Sequence, residues 1–381
     1  MYPRRRRLAA LSALPLVLAA CAVGNAALDE TALEKEIRTR GLDPTQIVLP
    51  HALTDEMRSW AHAHVGTTGL PEERLERLLS ALQDAGGLEI TYEAGYTSTA
   101  PEAFARRRAN CLAFTALFVG MARELGLPAF YVDVDDVEKY AKEGDLVVIS
   151  GHITAGFDTG PDIKILEFSA APQDISYRHV RAVSDLTAIA LFYSNRGGEL
   201  LRAGKQQEAR QWLETAVGLA PDLARAWINL GVALRRDGDL DGAEGAYRRA
   251  LEVDPAAHSA YANLAAVLRL RGREQEAGEL MALGSRLGTR NPYSYLSLGD
   301  LSLRHGRLPE ARRYYRKALR LARRDAETYA AMGLWALAAG DAHDAARWLR
   351  KAQAIDQEDP RAKRLEASLA GRRGRAAGGA P

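Results

Sequence analysis

Residues 226–255 read AWINLGVALRRDGDLDGAEGAYRRALEVDP. Two apolar-periodic stretches flank a glycine, and a proline closes the unit. The pattern recurs. Trp227, Tyr261, Tyr295 and Tyr329 stand 34 residues apart, and Tyr193 extends the series backwards. Gly204, Gly238, Gly272, Gly306 and Gly340 step by 34, as do Ala209, Ala243, Ala277, Ala311 and Ala345. Pro221 and Pro255 sit where a new unit begins. Three residue series in one register define a repeat.

Each unit predicts two amphipathic helices joined at the glycine, which ends the first helix and permits a tight turn. The alanine lets the second helix approach the first closely. The aromatic fills the gap to the next layer. A lone helical pair cannot bury its apolar face, so the units must stack. The expectation is an all-α solenoid of five repeats over residues 187–356. The unit resembles the tetratricopeptide repeat, and that resemblance implies a concave surface that binds peptides or partner proteins. Beyond it, residues 357–381 form a basic, Gly/Ala-rich tail, whose end GRRGRAAGGAP (371–381) is expected to be disordered.

At the other end, Arg4 to Arg7 precede a short apolar run that ends Leu18-Ala19-Ala20-Cys21. That is a positive n-region and an h-region, and the run is short for a membrane span. Its end resembles a bacterial lipobox. The resemblance implies a signal peptide over residues 1–20, a lipid on Cys21 and a tether within 21–50. It also implies a cell-envelope location, with Ala22 suggesting the outer membrane facing the periplasm. Removing residues 1–20 takes four arginines and no acid, leaving 47 basic against 49 acidic residues, a balance of −2. Nothing in that balance argues for nucleic-acid binding.

Cys111 is then the one cysteine expected to keep a free thiol. It stands in RRANCLAF (107–114), at the start of CLAFTALFVGMAREL (111–125). That stretch is apolar around most of its circumference, so it reads as a helix buried nearly all round. Asn110 is its N-cap, and Gly126 and Pro128 stop it. Cys111 would lie in the first turn, where the helix dipole favours a thiolate. Helices are expected in HALTDEMRSWAHAHV, PEERLERLLSALQ and APEAFARRR, and a short strand in GLEITYEA. Three strands follow the cysteine helix: PAFYVDVD, DLVVISGHITAGFD with His152, and PDIKILEFSA with Glu167. The charged span Lys139–Asp145 reads as a turn or loop.

A cysteine opening a buried helix, then a strand histidine, then a strand acid, resembles the transglutaminase-like, papain-related cysteine enzymes. NCLAFTALFVGMARELGLPAFYVDV (110–134) is similar to their nucleophile helix and following strand, GHITAGF (151–157) to their histidine strand and KILEFSA (164–170) to their acid strand. Glu167 stands where the family more often has Asp. The resemblance implies an α+β transglutaminase-like domain over residues 51–186, with Cys111 as nucleophile, His152 as general base and Glu167 as its orienter. The backbone N–H of Cys111 is one oxyanion donor, and Tyr96 is nominated as a second. No cofactor is implied, and no metal: His62 and His64 are two apart on one helix and face different sides. The activity expected is thiol-dependent amide hydrolysis or acyl transfer on a peptide or protein substrate, which would make the chain a hydrolase or acyltransferase of the envelope. The alternative is a non-enzymatic scaffolding lipoprotein that binds partners through its repeats.

Overall fold

The computed structural model describes residues 30–143, 146–158, 163–166, 180–286 and 292–377. The leader, Cys21 and Glu167 lie outside the described residues. The N-terminal half is helical before it is β. Helix α1 (Glu30–Thr39) leads to α2 (Asp55–Val65), α3 (Pro71–Gln83), the two-residue strand β1 (Thr91–Tyr92), α4 (Ala100–Arg106), the two-residue strand β2 (Arg108–Ala109) and α5 (Cys111–Glu124). Local sequence starts these helices. Thr54 accepts from the Met57 amide, Pro71 opens α3, and Thr99 and Glu102 form a reciprocal capping box on α4. Residues 30–50 are not purely a tether, because Leu33 and Ile37 of α1 are buried in the core.

Helix α5 is the axis of this half. Every residue from Leu112 to Ala122 is buried. It packs on a four-stranded antiparallel sheet of β3 (Ala129–Glu143), β4 (Leu146–Asp158), β5 (Ile163–Leu166) and β6 (Val180–Val183), in the order β5-β4-β3-β6. Ile153, Ala155 and Phe157 alternate along β4 and join the same core as α5. Two points differ from the sequence reading. Strand β3 continues through Lys139–Glu143, pairing Tyr140 with Ile149 and Glu143 with Leu146. The charged span therefore belongs mostly to a long hairpin, since backbone pairing with a neighbouring strand does not require an apolar pattern. Strand β6 closes the sheet and had not been expected.

The C-terminal half is the solenoid. Its helical pairs are α6 (Asp185–Arg202) with α7 (Gln206–Leu219), α8 (Ala224–Arg236) with α9 (Leu240–Val253), α10 (His258–Leu270) with α11 (Glu274–Arg286), α12 (Pro292–Arg304) with α13 (Leu308–Leu321), and α14 (Ala326–Ala338) with α15 (Ala342–Gln353). The five period-34 glycines sit at φ between +69° and +90°, the left-handed turn that the series predicted. The alanines of the third series are buried. A further pattern works beside them. A Cβ at Gly231 would lie 2.6 Å from the Tyr247 ring, and one at Gly299 would lie 2.3 Å from the Tyr315 ring. Those tyrosines fill the space between paired helices because the glycines leave it. The tail is not disordered throughout. A final helix, α16 (Pro360–Ala377), buries Ala362, Leu365 and Leu369 against α14 and α15 and caps the array.

The two halves share one continuous hydrophobic core, from Leu33 in α1 to Met332 in α14. Polar contacts pin the junction. Arg123 of α5 donates to both Asp185 oxygens of α6, at 2.7 and 2.9 Å. The Val48 amide donates to the Tyr193 hydroxyl at 2.8 Å. Arg225 of α8 meets the buried Asp133 of β3 at 2.5 Å.

Candidate active site

Cys111 is the first residue of α5 and is partly exposed. Asn110 caps the helix, its Oδ1 accepting from the Ala113 amide at 2.9 Å. The first-turn amides and the helix dipole converge on this end. The cap is itself held. Asn110 Nδ2 donates to Thr97 Oγ1 at 2.8 Å, and Thr97 donates through its amide and hydroxyl to Glu199 Oε1 at 2.7 and 2.8 Å. Arg196 pairs with the other Glu199 oxygen at 2.8 Å. A first-repeat helix thus orients the residue that caps the cysteine helix.

The histidine strand reaches the same place. The Thr115 hydroxyl lies 2.7 Å from the Cys111 carbonyl oxygen and 3.3 Å from the Ile153 carbonyl oxygen, joining α5 to β4. Ile153, next in sequence to His152, lines the same cavity as Cys111. At the backbone level His152 pairs with Val134, and the ladder resumes at Lys139–Ser150. Strand β3 therefore spends five residue steps where β4 spends two, and this irregularity begins at the histidine. Such irregularities bend the strand locally and increase its twist.

Tyr96 is elsewhere. Its hydroxyl donates to Glu102 Oε1 at 3.0 Å, and its ring lies between the Arg106 and Arg196 guanidiniums, 4.7 and 4.4 Å from its centroid. Burial and the Glu102 carboxylate raise its pKa. The tyrosine beside the thiol is Tyr92. It lines the cavity beside Cys111; burial, then the Cys111 neighbour, raise its pKa. Parallel pairing of Tyr92 with Ala109 brings it two residues short of the cysteine. That two-residue bridge carries no periodic signal, so GLEITYEA was legible as a strand while its partner was not.

The cavity measures about 240 Å³. Tyr92, Asn110 and Cys111 form one side. Residues of α6 and α8, including Asn195, Arg202, Asn229 and Arg236, form the other. The arginines 106–108 stand apart from it: Arg106 and Arg108 pair with Glu93, and Arg107 takes the left-handed conformation that ends α4. His64 stacks on Trp60 and contacts its carbonyl oxygen at 2.8 Å, His62 lies 3.5 Å from Glu124, and His51 is buried.

Comparison with known proteins agrees with this division. The transglutaminase-like superfamily model matches residues 58–148, a span that includes Cys111 and ends before His152. Tetratricopeptide-repeat models match residues 224–256, 282–327 and 296–362. No curated protein matches. Among solved structures, one from a functional characterization of Pseudomonas aeruginosa pilF is 23% identical, covering 48% of this chain and 82% of that one, with a TM-score of 0.42. TTC0263, a tetratricopeptide-repeat protein of Thermus thermophilus, is 19% identical over 47% of this chain and 98% of its own, with a TM-score of 0.41. YrrB, described as a repeat protein with an unusual peptide-binding site, is 17% identical over 47% and 92%, with a TM-score of 0.35. This chain carries a transglutaminase-like domain followed by a tetratricopeptide-repeat solenoid.

Proposed function

We propose that this protein performs thiol-dependent amide hydrolysis or acyl transfer on peptide substrates, with Cys111 as nucleophile. The observation that supports this most is the capped, partly exposed cysteine at the N-terminus of a buried helix, opening into a cavity beside the histidine strand. In this reading His152 takes the thiol proton and Glu167 orients the imidazole. The thiolate attacks the amide carbonyl carbon, and the carbonyl electron pair moves to oxygen. The backbone N–H of Cys111 and the Tyr92 hydroxyl donate to that oxygen. Collapse expels the amine, which takes the proton from His152, and leaves a thioester on Cys111. Water then releases a carboxylic acid, or an incoming amine forms a new amide.

The test is alkylation of Cys111 by iodoacetamide against pH, in the native chain and in His152→Ala. A thiolate population persisting well below pH 8 and lost in the variant supports the enzyme. Slow alkylation with an ordinary pH midpoint, unchanged by the variant, overturns it. The repeats support a second reading, a scaffold that binds peptides or proteins without turnover. The leader motif supports a lipid on Cys21 and an outer-membrane location. Metabolic labelling with a fatty acid, absent in Cys21→Ser, is the expected result for that anchor.

A further inference from the structure

The second helices of repeats four and five carry the same surface. Residues 313–321 read RYYRKALRL and residues 347–355 read RWLRKAQAI. Arg313 and Arg347, Arg316 and Arg350, and Lys317 and Lys351 stand 34 residues apart, and all six are exposed. On each helix they fall at i, i+3 and i+4, which is one face. Equivalent positions of stacked repeats lie side by side, so the two helices present one basic surface.

The earlier repeats do not build it. Their equivalent positions are Gln211, Glu214 and Thr215 in repeat one, and Glu279, Ala282 and Leu283 in repeat three. Repeat two places Arg248 and Arg249 there, but Arg248 pairs with Glu244 and Glu276, and Arg249 with Glu252. Of the six cations in repeats four and five, Arg347 alone pairs with a carboxylate among the described residues, that of Asp344. Residues 307–324 hold eight basic side chains against one acid, Glu310, which pairs with Arg307 at 3.5 Å, so α13 keeps its positive charge.

The surface also carries apolar groups. Leu321 ends α13 and Ile355 follows α15; they too are 34 apart, and they are 46% and 43% exposed. Lys351 lies 4.6 Å from the centroid of the half-buried Trp348 ring. Cations with aliphatic tips and an aromatic ring among them suit the boundary between lipid headgroups and acyl chains. A soluble polyanion would neutralise the cations and leave Leu321 and Ile355 in water.

We propose that this face of α13 and α15 docks on an anionic phospholipid surface and lays repeats four and five against a membrane. The choice of a membrane rests in part on the lipid read for Cys21, because a lipid chain and a basic patch act together as membrane signals. None of these residues lines the thiol cavity, so docking and chemistry use different repeats.

The test uses the chain beginning at Ala22, which carries no lipid and keeps every described residue. Its binding to two sets of vesicles is measured by sedimentation: phosphatidylcholine alone, and an equal mixture of phosphatidylcholine and phosphatidylglycerol. The expected result is at least about tenfold tighter binding to the anionic vesicles, lost at high salt. Arg316→Gln, Lys317→Gln, Arg350→Gln and Lys351→Gln together should weaken that binding at least about tenfold. Arg38→Gln, Arg40→Gln, Lys205→Gln and Arg249→Gln remove the same charge from exposed positions elsewhere and should change it less than about threefold. Equal binding to both vesicle sets, or none to either, overturns the proposal, whatever the folding of the variants. A preference that survives the first set of substitutions, or falls equally with both sets, overturns the assignment to this face. Tighter binding of a labelled oligodeoxythymidine than of the anionic vesicles assigns the face to nucleic acid and overturns the proposal as well. Because this chain bears no lipid, failure of fatty-acid labelling at Cys21 and failure of vesicle binding are separate results.

Discussion

The two sides of the Cys111 cavity are built by different rules. The solenoid side is periodic: Asn195 and Asn229, and Arg202 and Arg236, occupy equivalent places in successive repeats. The cysteine side is assembled once. Its cap depends on the relay Asn110–Thr97–Glu199, and its tyrosine on a two-residue parallel bridge. A periodic wall spreads its stability over near-equivalent interfaces. A unique wall concentrates it in a few contacts, so single substitutions there should have larger effects.

The largest effect is expected at the thiol. Cys111→Ala should lower amide turnover by at least about 10³-fold while leaving the melting temperature within a few degrees, because the side chain is small and partly exposed. A variant that keeps its turnover would remove the cysteine side from the chemistry.

Next is the buried His51, which tests the unique side through pH. Burial holds its pKa down to about 4, with Arg123 adding to the depression and Asp185 opposing it. The folded state keeps this imidazole neutral, while the unfolded chain protonates near 6.5. Between those values the unfolded state binds more protons, so stability rises with pH. The contribution is fully present above about 6.5 and is lost as pH falls toward 4. It amounts to about 3 kcal/mol. Denaturant melts at pH 7 and pH 4 should show that loss, and His51→Gln should flatten it.

Glu199 belongs to both sides. Glu199→Ala leaves the Thr97 amide and hydroxyl without their acceptor, in a residue that is itself buried. The expected cost is about 2 kcal/mol in chemical denaturation. Cys111 alkylation should also change, because Asn110 loses its anchor. Unchanged alkylation would separate the repeats from the cysteine side.

The smallest effect is expected in a periodic element. Asp239 caps α9, accepting from the Gly242 amide at 2.8 Å. Asp239→Ala should cost about 1 kcal/mol and leave Cys111 reactivity untouched.

Much of this architecture was legible because its causes are local. The glycine, aromatic and alanine series report turns and helix contacts that repeat every 34 residues. The Asn110 cap and the apolar circumference of α5 are properties of contiguous residues. The charged span 139–143 was misjudged because strand extension depends on a partner, here Leu146 to Ser150, rather than on its own apolar pattern. Residues 371–377 were misjudged because they continue α16, whose earlier turns are ordered by burial against α14 and α15, while GRRGRAA by itself suggests no order. Tyr96 and Tyr92 are four residues apart and chemically identical. Only the bridge to Ala109 distinguishes them.

Local sequence specifies the two modules, the helix that presents Cys111 and the repeat register. Those follow from periodicity and capping, which act over a few residues to a few turns. Long-range packing sets the rest: the modules share one core, Glu199 holds the cysteine helix's cap, and α6 and α8 line the thiol cavity. Those contacts join residues far apart in the chain, as Thr97 and Glu199 are. Burial and hydrogen-bond satisfaction select them for the chain as a whole, and no short stretch of sequence encodes them.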